Sequence, residues 1–84
     1  MAHYDYRTQG TCSQYVSFDL EDGKLHNVTF LGGCPGNTLA IGKLVEGSDA
    51  QQVHDILRGN PCGGRPTSCG DQLARAIEVA TATA

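Results

Sequence analysis

Two stretches near the start of the chain, at positions 15–20 and 25–31, alternate between apolar and polar residues. The large apolar side chains of these stretches fall on one face: Val16, Phe18, Leu20, Val28 and Phe30. A period of two is typical of strands with one buried face. The two stretches therefore predict a β-hairpin, and the shorter pattern over residues 4–7 predicts a third strand before it.

An Asp22-Gly23 pair lies between the two alternating stretches. Asp-Gly favours a two-residue hairpin turn, but that turn would pair Phe18 with Asn27 and mix the two faces. A three-residue loop that ends at a left-handed Gly23 pairs Phe18 with His26 instead. We predict the three-residue loop, because a strand with one buried face needs one continuous apolar face.

The second half of the chain has the apolar periodicity of helices. Its helix-start signals are Asn37, Ser48 followed by Gln51, and Ser68 followed by Asp71. Such residues cap helix N-termini, and Gly47 and Gly59 are placed to end the first two helices. Strands followed by helices predict an α+β domain, a three-stranded antiparallel β-meander followed by about three helices. We expect a single domain over residues 1–84, ordered over about residues 4–80.

The charge balance and the apolar runs exclude several classes of function. The 84 residues include 6 basic and 9 acidic side chains, for a formal charge of −3. A nucleic-acid-binding surface normally needs a basic patch, so we expect no nucleic-acid partner. No apolar run approaches the roughly 18 residues of a membrane span, and no basic segment followed by an apolar one opens the sequence. We therefore expect no membrane association and a cytoplasmic protein.

Four cysteines stand out in a chain with few large apolar residues. Leu, Ile, Val and Phe make up about 20% of the sequence, which predicts a thin core that needs an additional cross-link or metal. The cysteines are Cys12, Cys34, Cys62 and Cys69, spaced Cys-x21-Cys-x27-Cys-x6-Cys. Each lies at the boundary of a predicted element and close to a glycine, which lets the backbone turn sharply around a ligand.

The residues alone leave three uses of these thiols open. Cytoplasmic cysteines are more often metal ligands or redox groups than structural disulfides. Four thiolates suit a tetrahedral zinc ion or an iron–sulfur cluster, although the paired Cys-x2-Cys spacing of a zinc ribbon is absent from the sequence. The alternatives are a redox-active or disulfide-forming pair, and thiols without a chemical role.

Three segments of the chain resemble the TSCPD domain family. They are Gly10-Thr11-Cys12-Ser13, then Phe30-Leu31-Gly32-Gly33-Cys34-Pro35-Gly36-Asn37, then Cys62-Gly63-Gly64-Arg65-Pro66-Thr67-Ser68-Cys69-Gly70-Asp71-Gln72-Leu73-Ala74. The resemblance covers about residues 8–80, and all four cysteines match. Residues 67–71 depart from the motif that names the family only by Gly70 in place of proline.

The resemblance implies an accessory domain. Members of the family form the C-terminal domain of adenosylcobalamin-dependent ribonucleotide reductases, or short free-standing four-cysteine proteins, which this chain resembles. Reductase activity of its own is not expected, because 84 residues leave no room for the catalytic barrel. We assign no catalytic residue and expect an unidentified protein partner, either a ribonucleotide reductase or the iron–sulfur machinery.

The chain also bears a more distant resemblance to iron–sulfur scaffold proteins of the IscU/NifU type. Cys12, Cys34 and Cys69 fall at positions that correspond to the scaffold's three cysteines. The scaffold's aspartate and histidine are missing, since Ser13 follows the first cysteine and Ser68 precedes the last. With Cys62 as the fourth ligand, an all-cysteine site favours a tightly held metal over a cluster that is released.

These observations predict a metal-binding accessory module with a mainly structural zinc ion, whose ligands are Cys12, Cys34, Cys62 and Cys69. The first alternative is an iron–sulfur scaffold or carrier. The second is a thiol-redox accessory protein in which Cys62 and Cys69 form the reactive pair.

Overall fold

Three strands followed by three helices make up the described part of the chain. The computed structural model describes residues 2–8, 10, 13–32, 35–60 and 67–83. The elements are β1 (Ala2–Arg7), β2 (Ser13–Glu21), β3 (Lys24–Gly32), α1 (Pro35–Val45), α2 (Ala50–Leu57) and α3 (Cys69–Thr83). The strands are antiparallel in the order β1-β2-β3. The predicted α+β class and the order of its elements are confirmed.

The core lies between one face of the sheet and the helices. α3 contacts β1 and β2, α1 contacts β3, and α2 contacts α3. The sheet contributes Val16, Phe18, Leu25 and Val28 to the buried cluster, and α3 contributes Leu73, Ala76, Ile77 and Ala80. The alternation of β2 and the stripe of α3 therefore meet as their sequence patterns predict.

The predicted three-residue hairpin loop is wrong. Glu21 pairs with Lys24, so Asp22 and Gly23 alone make the turn. Their φ angles are +53° and +76°, which is the left-handed pair that a type I′ hairpin turn requires. The sequence preference of Asp-Gly therefore prevails over the register argument.

A β-bulge at Asn27 removes the register conflict that the two-residue turn creates. Asp19 pairs with His26, whereas the next pair is Ser17 with Thr29, so β3 carries one residue more than β2 between these pairs. Asn27 has a φ of +55°, a conformation that asparagine tolerates better than most residues. The extra residue returns the apolar side chains of β3 to the core face.

Side chains from a neighbouring strand and from the segment after α1 hold the bulge. The Asn27 backbone N–H donates to Glu46 Oε1 at 2.8 Å, and Asn27 Nδ2 donates to Asp19 Oδ2 at 3.0 Å. His26 Nδ1 lies 2.8 Å from the other Glu46 oxygen. The bulge therefore has its backbone donor satisfied, and it links β3 to the end of α1.

Two of the three predicted helix starts are displaced. α1 begins at Pro35, so Asn37 lies inside the helix and is not its N-cap; proline suits the first helical position because it lacks an N–H that would otherwise be unpaired. Asp49 caps α2 in place of Ser48, and its side chain accepts the Gln52 N–H at 3.0 Å. The predicted cap of α3 is confirmed, since Ser68 Oγ accepts the Asp71 N–H at 3.0 Å.

α1 lies very close to the sheet. A Cβ atom at Gly42 would lie 2.7 Å from the carbonyl oxygen of Val28, so only glycine permits this approach of α1 to β3. The turn after α1 then runs along the start of β3, where the Leu25 N–H donates to the Ser48 carbonyl at 2.9 Å and the Gly47 N–H donates to the Leu25 carbonyl at 2.7 Å.

Within the described ranges, no helix combines the length and the apolar character that crossing a membrane would require.

Candidate metal centre

One of the four predicted metal ligands belongs to the described part of the chain. Cys69 is the first residue of α3, and it is partly buried. Cys12, Cys34 and Cys62 lie outside the described residues. Among the residues that are described, no three His, Cys, Asp or Glu side chains form a group that could hold a metal ion. The four-ligand site therefore stays a prediction, and the described residues beside each cysteine are its available test.

The residues that border Cys12 and Cys34 are neighbours at one end of the sheet. Ser13, which follows Cys12 in sequence, pairs with Gly32, which lies two residues before Cys34. Paired residues of adjacent strands are about 5 Å apart. Cys12 therefore precedes β2, and Cys34 follows β3, at the same end of the sheet in sequence terms.

The segment before β2 also reaches the start of α3. Gly10 has a φ of +76°, and a Cβ atom at this position would lie 2.9 Å from the Thr67 Cγ2 methyl. The Gly10 backbone therefore lies directly against Thr67. Gly10 is two residues before Cys12 and Thr67 is two residues before Cys69, so these contacts connect the border of the first cysteine to the border of the fourth.

The residues on either side of Cys62 meet at the start of α3 as well. Asn60 Nδ2 lies 3.4 Å from Ser68 Oγ, and the Gly59 N–H donates to Asp71 Oδ1 at 2.6 Å. The described ends of the segment over residues 61–66 are thus joined to each other through the first turn of α3. Three contacts therefore link the borders of the cysteines in pairs: Ser13 with Gly32, Gly10 with Thr67, and Asn60 with Ser68.

Asp71 is the charged centre of this region. Its side chain is 0% exposed, and its oxygens accept from Thr67 Oγ1, from the Gly59 N–H and from Arg75 Nε at 2.9 Å. Arg58 approaches the same carboxylate at 3.4 Å. Burial acts to raise the pKa of Asp71, but the hydrogen bonds from Thr67, Gly59 and Arg75 outweigh it and lower the pKa to about 2.

Thr67 connects Asp71 to a second buried polar side chain. Its hydroxyl donates to Asp71 Oδ2 and accepts from Gln72 Nε2 at 2.9 Å. A hydroxyl has one proton to donate, and the Gln72 amide already approaches as a donor. The Thr67 proton is therefore directed to Asp71, and the orientation of this hydroxyl is fixed.

A second ion-pair group holds α2 against α3. Arg58 Nε donates to Glu78 Oε2 at 2.8 Å, and His54 Nε2 lies 3.5 Å from the same oxygen. The hydrogen bond from Arg58, followed by its positive charge, lowers the pKa of Glu78. Arg58 thus touches both Asp71 and Glu78 and joins the end of α2 to the first and third turns of α3.

Sequence reasoning identified Asp71 as part of a capping box and missed its larger role. The sequence did carry one signal for this role. Asp71 lies between Gly70 and Leu73, in a helix whose buried stripe surrounds it. A buried carboxylate needs paired charges and hydrogen bonds. The donors that supply them, Arg58 and the Gly59 N–H, come from a different part of the chain and carry no local signal.

Together these features define a small α+β domain of three antiparallel strands and three helices, in which Thr67 and Ser68 directly precede a last helix that begins Cys-Gly-Asp. The TSCPD domain family matches residues 2–81 of the chain, and the chain belongs to that family. No curated protein and no solved structure matches it. The resemblance to IscU/NifU-type scaffolds therefore stays a prediction.

Proposed function

We propose that this TSCPD domain is a metal-binding accessory module, related to the C-terminal domain of ribonucleotide reductase, in which Cys12, Cys34, Cys62 and Cys69 hold one zinc ion. The observation that supports the proposal is the set of pairwise contacts that links the border residues of the four cysteines. Ser13 pairs with Gly32, Gly10 lies against Thr67, and Asn60 contacts Ser68.

Chain connectivity limits how far the thiols can lie from these contacts. Consecutive Cα atoms are about 3.8 Å apart, so two residues span at most about 7.6 Å. Cys12 is one residue from Ser13, Cys34 is two residues from Gly32, and Cys62 is two residues from Asn60. Four thiolates at about 2.3 Å from one ion complete a closed tetrahedral zinc site.

The role of the ion is mainly structural. Four sulfur ligands leave zinc no open position for a water or a substrate. The described core is formed by inner residues of β2 and β3, by Val45, Ala50 and Val53 of α1 and α2, and by the buried face of α3. Three of the buried residues of α3 are alanines: Ala74, Ala76 and Ala80. A metal tied to the strand ends and to α3 would link the sheet to the helices and add stability that this core lacks.

The partner and the compartment are part of the same proposal. In the cytoplasm the thiols of the site stay reduced. An accessory module of this kind acts by binding another protein. The two candidate partners are a ribonucleotide reductase and the iron–sulfur machinery. A fixed zinc site then supplies the shape of the binding surface and takes no part in the partner's chemistry.

Elemental analysis of the freshly purified chain tests the proposal. We expect about one zinc per chain, and a loss of at least about half of it in each of the four Cys→Ser variants, because a structural zinc site needs all four ligands. Thr29→Ser, on the exposed side of β3, is the matched control and should keep its zinc. Zinc content unchanged in both Cys12→Ser and Cys34→Ser would disprove the four-ligand site.

Anaerobic purification separates zinc from an iron–sulfur cluster. A cluster carries iron and sulfide and gives visible absorbance, whereas zinc is colourless. Iron with visible absorbance in the anaerobically purified chain, in place of zinc, would replace the structural proposal with that of a cluster scaffold or carrier.

A thiol-redox function has one observation in its favour. Contacts of Gly59 and Asn60 with Asp71 and Ser68 bring the border of Cys62 to the helix that begins with Cys69. Two thiols held close together form a disulfide readily. A Cys62–Cys69 disulfide that forms and breaks near cytosolic glutathione potentials, in a chain without bound metal, would favour this function over a zinc module.

A further inference from the structure

The two edges of the sheet differ in how their backbone groups are used. On the free side of β3, the Leu25 N–H donates to the Ser48 carbonyl, and the Leu25 carbonyl accepts from the Gly47 N–H. The Asn27 N–H donates to Glu46, and the bulge at this residue interrupts the regular ladder. Bulges and covering segments are usual protections of an edge strand. The first half of the β3 edge is therefore closed to a further strand.

β1 forms the other edge, and it is regular and uncovered among the described residues. Its 6 residues pair with β2 in one unbroken antiparallel register, from Ala2 to Arg7. β2 is the only described strand beside it. Within the described ranges, no backbone hydrogen bond reaches the side of β1 that faces away from β2. A regular, uncovered edge is a template for pairing with another strand.

The direction of the backbone groups of β1 follows from one hydrogen bond. The Thr8 N–H donates to the Gln14 carbonyl at 3.0 Å, in the same register as the pairs of β1 with β2. Backbone groups of successive residues point to opposite sides of a strand. The even-numbered residues of β1 therefore direct their N–H and carbonyl groups to β2. The odd-numbered residues direct theirs to the free side: His3, Asp5 and Arg7.

These outward-pointing groups limit how a second copy of β1 can pair with the first. Hydrogen bonds between two β1 strands need odd-numbered residues opposite odd-numbered residues, since only these point to the free side. Two identical antiparallel strands are related by a two-fold axis that passes between the two copies of one central residue, and both copies use the same surface. The central residue can be Tyr4, Asp5 or Tyr6.

The charges of β1 favour the register that is centred on Tyr4. This register places His3 of each copy opposite Asp5 of the other, so two cross-strand pairs of opposite charge form. The register centred on Asp5 would instead place two carboxylates opposite each other. Opposite charges in cross-strand pairs stabilise a sheet, and like charges destabilise it.

The register centred on Tyr6 is a weaker alternative because it is shorter. It places Asp5 opposite Arg7, which is also favourable, but it joins only residues 5–7 of each β1. The register centred on Tyr4 joins residues 2–6. Each further pair adds cross-strand contacts, so the length of the paired segment also favours Tyr4 as the centre.

His3 carries the positive charge that this register uses. Its Nδ1 lies 2.7 Å from Asp19, and its Nε2 lies 3.2 Å from Asp5 of the same chain. The hydrogen bond to Asp19 raises the pKa of His3, burial opposes this rise, and Asp5 adds to it. The ring is therefore charged at pH 6, below the usual histidine pKa of about 6.5.

A second strand beside β1 would also cover its core-facing aromatic residues. Tyr4 and Tyr6 pack against the buried cluster but are only partly buried themselves. Val16 and Phe18, on the same face of the central strand β2, are both 0% exposed. In the register centred on Tyr4, the Tyr4 side chains of the two copies are direct neighbours, and aromatic cross-strand pairs stabilise sheets.

We propose that the free edge of β1 is an interface for a second copy of this chain, in which the two β1 strands pair around Tyr4 and join the two sheets into one sheet of six strands. The two-fold axis is perpendicular to this sheet, so the helices of both copies cover the same face. One strand from each copy makes a small interface, so we expect a weak dimer. The proposal goes beyond the zinc site and does not depend on it.

Sedimentation equilibrium of the full chain tests the interface, at pH 6 with a reducing agent and over about a hundredfold range of concentration. We expect Asp5→Lys to lower the association constant by about tenfold or more, because it places like charges opposite each other at two positions. Asp55→Lys is the matched control. It makes the same change of charge on the exposed side of α2 and should leave the constant within about threefold of the unmodified value.

A charge reversal tests the register. The double variant His3→Asp with Asp5→Lys again places opposite charges across the interface, so we expect its constant to return to within about threefold of the unmodified value. Circular dichroism confirms that every variant is folded. A chain that stays monomeric over the whole range would overturn the proposal. Equal constants in D5K and D55K, or no recovery in the double variant, would also overturn it.

Amide hydrogen exchange of the unmodified chain tests the same register without a substitution. The His3 and Asp5 N–H groups point to the free side, so their exchange rates should fall by about half where half of the chains are dimeric. The Tyr4 and Tyr6 N–H groups, which point to β2, are the internal control and should change little. Unchanged exchange at His3 and Asp5, or protection of these groups in a monomeric chain, would overturn the proposal.

Discussion

Two carboxylates organise two regions of this domain, and they differ chiefly in their access to water. Asp19, on the outer face of the sheet, accepts from His3 Nδ1 at 2.7 Å and from Asn27 Nδ2 at 3.0 Å. Asp71, in the first turn of α3, is 0% exposed and accepts from Thr67, Gly59 and two arginines.

The comparison shows which of the two groups the fold depends on. Water can replace a lost partner on the outer face of the sheet, where the Asp19 side chain is 17% exposed and its partner His3 is 59% exposed. No water reaches Asp71, so a lost partner there leaves a buried charge or a buried donor unpaired, which is costly. Substitutions in the two regions should therefore change the free energy of unfolding by different amounts and with a different dependence on pH.

The largest effect is expected from Asp71→Ala. The change leaves the Gly59 N–H, the Thr67 hydroxyl and Arg75 without their acceptor, while Arg58 keeps Glu78. We expect the free energy of unfolding to fall by about 3 kcal/mol or more, as measured by urea titration. Asp19→Ala is the matched control from the outer face of the sheet, which water reaches, and should cost only a small part of this. Equal losses in the two variants would contradict the comparison.

Two glycines with the same backbone conformation sharpen the comparison. Gly10 and Gly23 both have a φ of +76°. A Cβ atom at Gly23 would meet nothing within 4 Å, whereas at Gly10 it would lie 2.9 Å from the Thr67 methyl. Gly23→Ala should cost about 1 kcal/mol through backbone strain alone.

Gly10→Ala should cost about 1–2 kcal/mol more than Gly23→Ala, because the added methyl displaces Thr67 from Asp71. Urea titration of the two variants measures the difference. A double variant, Gly10→Ala with Thr67→Ser, tests the cause: removal of the Thr67 methyl should restore part of the loss. No recovery in that variant would show that Gly10 is constrained by its backbone alone.

The sequence predicted the elements of this fold better than their connections. The alternation of β2 and the stripe of α3 are local patterns, and both were found as expected. The predicted three-residue hairpin loop was wrong because a one-residue bulge can restore a mismatched register. The stability of that bulge depends on Glu46, which lies 19 residues from Asn27 along the chain.

The site was predictable in its helix start and unpredictable in its network. Ser68 as the cap of α3 follows from a short-range preference and is confirmed. The contacts of Asp71 with Gly59 and Arg58 span 12 and 13 residues, and no periodicity or motif encodes them. The contact between Gly10 and Thr67 joins the two halves of the chain, so it follows only from the packed fold.

Acid titration should distinguish the two carboxylates by their pKa values. A carboxyl group whose pKa is lowered in the folded state stabilises the fold above its unfolded pKa of about 3.9 and loses that contribution as the pH falls through the folded value. Burial opposes the shift at Asp71, but its hydrogen bonds lower the pKa to about 2. The stability that Asp71 supplies is therefore lost between about pH 4 and pH 2.

Asp71→Asn removes this titrating group, so its free energy of unfolding should decline less between pH 4 and pH 2 than that of the unmodified chain. Thermal unfolding at several pH values measures both slopes. Asp19→Asn is the control: the hydrogen bonds from Asn27 and His3 also lower the pKa of Asp19, but water reaches this carboxylate and its partner His3, which limits the effect. A slope for D71N equal to that of the unmodified chain would contradict this assignment.

The smallest predicted effect belongs to His3 and has the opposite sign. The hydrogen bond that His3 donates to Asp19 raises the pKa of His3, burial opposes this rise, and Asp5 adds to it. A group with a raised pKa stabilises the fold below its unfolded value of about 6.5, and this contribution is lost as the pH rises through the folded value. The unmodified chain should therefore become slightly less stable from about pH 6.5 upward, and His3→Gln should remove that decline. NMR titration of the His3 ring checks the pKa directly, and a midpoint at or below 6.5 would show that Asp19 and Asp5 do not stabilise the charged ring.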